Sequence, residues 1–345
     1  MKNNYLSIVA VVIIALFQHS CSTNKTAKTS NKEKVAGRIL FYNVENLFDT
    51  INQEGHRDGE FTPEHEKNWT SEKYNFKLSQ LSKVIASADT GYLPNIIGLA
   101  EVENRNVIED LAATQLLKGS EYKIIHKESP DFRGIDVALI YDETYKPIKN
   151  TFYKIDLPGD RSTTRDILYS KGVFKKDTMH LFVNHWPSRY GGKKKSDPKR
   201  ALVASFLREK VDSLFSKDSS PRIIIMGDFN DYPQDSSLAE ILSALPESTG
   251  KQDELINLSW AIDASGAGSY NYRGHWGALD QMIVSGYTLE GRRWHVKMNS
   301  YEVIKHQWFM YTDDKGEEYP ARTYGGPNYY GGYSDHLPIM LRIYK

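Results

Sequence analysis

In Pro221-Arg222-Ile223-Ile224-Ile225-Met226-Gly227-Asp228-Phe229-Asn230 a continuous apolar run breaks off into glycine, aspartate and asparagine. The run is short and rich in isoleucine, with no polar alternation after Arg222, so it predicts a core strand covered on both faces. Asp228-Phe229-Asn230 then predicts a turn, since Asp and Asn tolerate turn backbones. A buried strand that delivers a carboxylate and an amide to its end matches the way open α/β sheets build ligand crevices.

The pattern recurs along the chain. Arg38-Ile39-Leu40-Phe41-Tyr42-Asn43 predicts a buried strand ending in Asn43, and Asn95-Ile96-Ile97-Gly98-Leu99-Ala100 predicts one ending in Glu101. Val137 to Tyr141, Ile167 to Phe174 and Met179 to Val183 read as strands, the last followed by Asn184-His185. Ala278 to Ser285 contains Asp280, and Asp335-His336 precede a final strand, Leu337 to Tyr344. Helical spacing over Tyr74 to Ala88 places Phe76, Leu78, Leu81, Val84 and Ile85 inward. Over Asn104 to Leu117 it places Val107, Ile108, Leu111 and Leu116 inward. A third helix is expected to be capped by Asp197, with Pro198 in its first turn and an apolar stripe through Leu202, Phe206, Val211, Leu214 and Phe215. Strands in groups with helices between them predict stacked sheets flanked by helices.

Bulk properties narrow the function without choosing it. The 345 residues have zero formal net charge, so no whole-molecule field draws the protein toward a polyanion, and phosphate binding has to come from local charge. The only cysteine is Cys21, which excludes an intramolecular disulfide. Tyr5 to Phe17 is an apolar run behind Lys2, shorter than the roughly 20 residues of a membrane span and suited to a signal-peptide core. Gln18-His19-Ser20-Cys21 resembles a bacterial lipobox. Residues 1–20 are therefore expected to be a signal peptide with Cys21 lipidated, 21–37 a flexible tether, and 38–345 the folded domain. The corresponding location is the cell envelope, lipid-anchored, with the membrane reached through the anchor alone and the protein acting as a monomer.

Taken singly, each polar residue at a strand end has an ordinary explanation as a cap, a turn residue or a packed side chain. Together, in order, they resemble the endonuclease/exonuclease/phosphatase superfamily, the DNase I-like fold. The resemblance rests on Asn43 in Tyr42-Asn43-Val44-Glu45-Asn46-Leu47-Phe48, on Glu101 in Gly98-Leu99-Ala100-Glu101-Val102-Glu103, and on Asn184-His185. It continues through Gly227-Asp228-Phe229-Asn230, Leu279-Asp280-Gln281-Met282-Ile283-Val284-Ser285 and Ser334-Asp335-His336-Leu337-Pro338. It implies an α/β (α+β) four-layer sandwich, two packed mixed β-sheets flanked by helices, and hydrolysis of a phosphoester.

The chemistry of that reaction suits these residue types. A hard cation on oxygen ligands stabilises charge on phosphorus and orients the attacking water. Glu101 and Asn43 are the expected ligands, and the resemblance adds Asp335. No zinc-type Cys or His spacing stands in the sequence, so Mg²⁺ is expected, with Mn²⁺ or Ca²⁺ as substitutes. The resemblance further implies that His336 is the general base, Asp280 its orienting partner, His185 a donor to the phosphate or leaving group, and Asp228 and Asn230 the residues around the nucleophile and phosphoryl oxygens. Arg165 is a candidate bidentate phosphate contact and Tyr272 a candidate substrate contact. Trp186-Pro187-Ser188-Arg189-Tyr190 with Lys193-Lys194-Lys195 and Lys199-Arg200 reads as a basic, aromatic loop able to track a nucleic-acid backbone. The leading expectation is an extracytoplasmic nuclease on DNA or RNA. A phosphodiesterase or phosphatase on a small phosphoester (a phospholipid head group, inositol or sugar phosphate) and an inactive binding module that keeps the fold remain as alternatives.

Overall fold

The computed structural model describes residues 33–157 and 163–345. The expected signal peptide, Cys21 and most of the tether lie outside the described residues. Two mixed sheets carry the fold. The first contains β1 (Val35–Leu47), β2 (Ile96–Val102), β3 (Lys123–His126), β4 (Asp136–Tyr141), β12 (His295–Val303) and β13 (Ile339–Tyr344), in the order β12-β13-β1-β2-β4-β3. The second contains β5 (Tyr145–Tyr153), β6 (Ile167–Phe174), β7 (Asp177–His185), β8 (Ile223–Asp228), β9 (Ala244–Leu245), β10 (Leu255–Asn257) and β11 (Asp280–Ser285), in the order β5-β6-β7-β8-β11-β10-β9. β1 begins at Val35, which pairs with Tyr344, so residues 35–37 belong to the sheet and not to the tether expected there.

Strand alternation explains the layering. Ile39 and Phe41 of β1 meet Ile224 and Met226 of β8 in the core between the sheets. Leu40 and Tyr42 face the other way, under the helices α1 (Ser71–Ala86) and α2 (Arg105–Ala112). Ile223 and Ile225 face outward with Val203, Leu207 and Val211 of α3 (Lys193–Phe215). Helix, sheet, sheet, helix is the expected four-layer sandwich. The runs lack polar alternation because both faces of each central strand are covered.

Two parallel pairs lie at the centre of the sheets, β1 beside β2 and β7 beside β8, each joined across a helix. Their C-terminal ends place Asn43, Glu101, His185 and Asp228 at one edge of the sandwich. β11 runs antiparallel to β8 and sets Asp280 directly opposite Asp228.

Three helical expectations need correction. Phe76 is 46% exposed, because the buried face of α1 runs through Tyr74, Lys77, Leu78, Leu81 and Ile85, and position 76 falls outside that stripe. α2 stops at Ala112, which leaves Leu116 exposed and buries Leu117 instead. α3 begins at Lys193, after Gly192 at φ +99°, so Asp197 and Pro198 lie within the helix. Asp197 pairs with Lys193 and Arg200 and does not cap. The expected basic loop is thus the first turns of α3, and its Arg200 is fully buried against Asp231.

Candidate active site

Backbone bends at the ends of β1 and β2 shape the first wall. The β1–β2 register breaks between Asn43 and Leu47, where Glu45 and Asn46 both adopt φ +51°. Glu101 adopts φ +63° at a break between β2 and β4. Left-handed backbone at a non-glycine residue is held only where its surroundings over-determine it. Here the Asn46 amide donates to Glu101 Oε2 at 2.9 Å and the Glu45 amide to Asn43 Oδ1 at 3.1 Å. Arg133, from the loop before β4, donates to Asn46 Oδ1 at 2.6 Å and stands 3.6 Å from Glu101. Burial pushes the Glu101 carboxyl up, but the Arg133 and His336 charges and the Asn46 amide outweigh it and hold Glu101 below its usual range.

The second wall comes from β7 and β8, where His185 sits in register with Asp228. Gly227 is required by close approach, since a Cβ there would lie 2.3 Å from the Asn184 carbonyl oxygen. Asn230, at φ +52°, donates through its backbone to Asp228 Oδ1 at 2.9 Å and through its side chain to the Trp186 carbonyl at 3.1 Å. Asp228 Oδ2 accepts from Asn43 Nδ2 at 3.1 Å and has His185 Nε2 at 3.6 Å and His336 Nε2 at 3.9 Å. Asp228 therefore joins the two walls.

His336 meets Asp280 from the far side. Its Nδ1 lies 2.7 Å from Asp280 Oδ2, which also accepts from Ser269 Oγ, and Asp280 is fully buried. Ser334 Oγ accepts the His336 amide and donates to the Asn43 carbonyl at 2.7 Å, fastening the last loop to β1. The Tyr270 ring covers the imidazole at 4.7 Å.

Protonation follows from these neighbours. Burial lowers the His336 pKa, but Asp280, by charge and hydrogen bond, and then Asp228 outweigh it and hold the ring well above its ordinary value. His185 is held well below, by burial and then by the Arg165 and Arg133 charges, so it is neutral. Asp228 is raised, first by burial and, despite His336, also by Asp280 and Glu101. Burial first, and then the neighbouring carboxylates, drive Asp228 toward its proton, a burden that a cation beside it would offset. The clustered donors are carboxylate and amide oxygens, so a hard divalent cation fits, held by Glu101 and Asn43 with Asp228 adjacent.

A model of the endonuclease/exonuclease/phosphatase family matches residues 38–345. The chain belongs to this family. Its members are metal-dependent phosphoester hydrolases, and the geometry above is consistent with that chemistry. No curated protein matches the chain in sequence. Among solved structures, truncated TDP2 from Caenorhabditis elegans is similar over 90% of this chain and 98% of that one, at 15% identity and a TM-score of 0.55. A mannosyl-6-phosphatase from Bacteroides thetaiotaomicron is similar over 89% and 99%, at 18% identity and a TM-score of 0.54. TDP2 from D. rerio, complexed with single strand DNA product, is similar over 89% and 98%, at 14% identity and a TM-score of 0.52. At these identities the likeness is one of fold.

The remaining family-type candidates fall in three places. Arg165 is 7% exposed and donates to the carbonyls of His185 and Trp186 and to Asp131, so it braces the His185 strand end from within. Tyr272 is 54% exposed on a hairpin, Tyr270–Tyr272 with His275–Gly277, and its neighbour Tyr270 is the residue against His336. Asp335 lies 3.1 Å from Arg322, which also pairs with Glu45 at 3.0 Å. Behind Glu45, the fully buried Lys77 donates to Thr323 Oγ1 at 2.7 Å. Sequence reasoning missed Arg133, Ser269, Glu45, Lys77 and Arg322 as supports of the site. Of these, Glu45 alone stood inside a quoted motif; Lys77 masqueraded as a solvent-facing helix residue.

Proposed function

We propose that this chain is a Mg²⁺-dependent nuclease of the cell envelope, cleaving phosphodiester bonds of DNA or RNA. The observation that carries the nuclease reading is a cleft of about 1590 Å³ beside the catalytic groups. Arg57, Arg133, Lys195 and Lys199 line it, with Phe132 and Tyr190 among them. Small-ligand pockets run about 300–1,000 Å³, so this cleft is wide for a small phosphoester and suits a strand whose phosphates meet the cations and whose bases meet the aromatics. Arg133 and Arg165 connect it to Glu101 and His185. The zero net charge of the whole chain is compatible with this, because along the cleft Arg57, Arg133, Arg165, Lys195 and Lys199 outnumber Glu60, Glu64 and Asp131.

A bound Mg²⁺ supplies charge stabilisation at phosphorus and orients the water, with Mn²⁺ or Ca²⁺ as substitutes. In its neutral form His336 accepts the proton of the attacking water at Nε2 while Asp280 holds Nδ1 and fixes the tautomer; a cation beside Asp228 would offset the carboxylate charge that otherwise keeps the ring protonated. His185, neutral, donates from Nε2 toward a phosphoryl or leaving oxygen without adding charge to the wall. Asn230 and Asp228 orient the nucleophile across from it. The apolar run before Cys21 supports placement at the envelope by a lipid anchor, with the catalytic unit acting as a monomer.

The test is a substrate panel. The protein from Ser22 onward is incubated with plasmid DNA, RNA and small phosphoesters, with Mg²⁺ or with EDTA. Polynucleotide cleavage that needs Mg²⁺ and disappears in His336→Ala is expected. Turnover of small esters alone removes the nuclease reading and leaves a phosphatase.

A further inference from the structure

Away from the catalytic centre, the turn between β3 and β4 gathers a second set of metal-type side chains. Ligand atoms of His126, Glu128 and Asp136 all lie within 4.8 Å of one another. His126 and Asp136 have side chains only 3% and 2% exposed. Asp136 Oδ1 accepts the Ser129 amide at 2.8 Å, and its Oδ2 stands 3.0 Å from His126 Nε2. Glu128 adds a second carboxylate, which is held above its usual range by burial and then by Asp136.

Neighbouring segments add ionisable groups that interact with the same carboxylates. His56, from the β1–α1 connection, has a buried Nδ1 with no hydrogen-bond partner, and its charge acts on Glu128. It is seated on Gly134, where a Cβ would lie 2.5 Å from that nitrogen. Asp166 is 3% exposed, has a buried Oδ1 without a partner, and feels the Asp136 charge. Buried polar atoms without protein partners call for a bound water or an ion.

We propose that His126, Glu128 and Asp136 bind a divalent cation of the zinc class, with His56 as the fourth ligand. Two imidazoles and two carboxylates form a set that zinc takes in four-coordinate sites. The exposed side of Glu128 provides an entry path. His56 and His126 are far apart in sequence, so no zinc-type spacing announces the site. The ion would join the β1–α1 connection to the loop before β4, which already meet where the Arg57 amide donates to the Phe132 carbonyl at 3.0 Å. Arg57, Phe132 and Arg133 line the cleft, so the bound ion would brace one cleft wall without touching the reacting atoms.

The experiment is a Zn²⁺ titration by calorimetry, paired with Co²⁺ absorption spectra. The protein from Ser22 onward, which keeps the compact unit Lys34–Lys345, carries Glu101→Gln and Asp228→Asn to silence the catalytic site. One equivalent of Zn²⁺ at micromolar concentration and visible Co²⁺ bands of four-coordinate intensity are expected. Adding Glu128→Gln or His126→Gln should weaken binding at least about tenfold, and His56→Gln should weaken it less while shifting the Co²⁺ spectrum. Glu128 is exposed, so its substitution tests ligation even where His126→Gln perturbs folding. Absence of a Zn²⁺ equivalent in the parent protein, or an unchanged equivalent in Glu128→Gln, overturns the proposal.

Discussion

β1 and β2 reach the active site through bent backbone, whereas β7 and β8 reach it in unbroken register. On the first wall three non-glycine residues, Glu45, Asn46 and Glu101, sit in left-handed conformations, and Arg133 keeps Glu101 ionised. On the second wall the strands stay regular up to His185 and Asp228, and the left-handed residue, Asn230, comes only after the strand has ended. Here burial keeps His185 neutral and pushes Asp228 toward its proton. Similar parallel pairs therefore present different chemistry. The bent wall offers a charged carboxylate to a cation, and the straight wall offers neutral donors to a phosphate. Local environment, more than residue type, separates the two roles.

The largest expected effect separates the walls directly. Glu101→Gln and Asp228→Asn should each lower kcat at least about a thousandfold, roughly 4 kcal/mol. Only Glu101→Gln should also raise the Mg²⁺ concentration needed for half-maximal rate. Equal Mg²⁺ dependence in the two variants would break the comparison. Chelation with EDTA should stop the wild-type reaction.

Next is the packing of each wall, read by urea unfolding. Gly227→Ala pushes a methyl into the Asn184 backbone, which cannot yield, and should destabilise by about 3 kcal/mol. Gly98→Ala on β2 meets the flexible Met226 side chain at 3.0 Å and should stay near 1 kcal/mol. A reversed order would mean that the straight wall is the more pliable one.

Asp280→Asn should slow the reaction by about a hundredfold, near 2.7 kcal/mol, while leaving the Mg²⁺ requirement unchanged. Asp280 is the chief upward pull on His336, so its removal lowers the pKa of that ring. The acidic limb of kcat/KM should therefore move to lower pH. An unmoved limb would assign that limb to another group.

The last effect concerns His180 on β7, which lies 2.8 Å from the Tyr169 hydroxyl and is held to about 4, first by burial and then by Lys171. An unfolded histidine takes its proton near 6.5, above the folded value. Its contribution is thus complete above about pH 6.5 and is lost as pH falls toward 4. Comparing wild type with His180→Gln should show a stability slope over that window, worth about 2 kcal/mol, that the variant lacks.

Much of the architecture was legible because its strands announce themselves. Runs such as Ile223-Ile224-Ile225-Met226 can be buried only between covered faces, and His185 and Asp228 end their strands as expected, while β1 and β2 run past Asn43 and Glu101 to Leu47 and Val102. Boundaries were less visible. Phe76 and Leu116 are apolar, yet lie outside their helices' buried faces, and Pro198 marked a helix start that Gly192 sets earlier. The supports of the site were the least visible. Lys77 lies in a helical pattern that suggests solvent, and Arg133 lies in a loop with no apolar period.

Composition and local pattern by themselves determined which strands are buried, which polar residues end them, and the order in which these appear. Such properties depend on side chains within a few positions of one another. Tertiary structure alone decided that Asp228 links Asn43, His185 and His336, that Arg165 braces from within, and that His126 meets Asp136. Those partners are brought together by sheet register and loop packing. Burial and neighbouring charge, which set the protonation of each group, exist only once they meet.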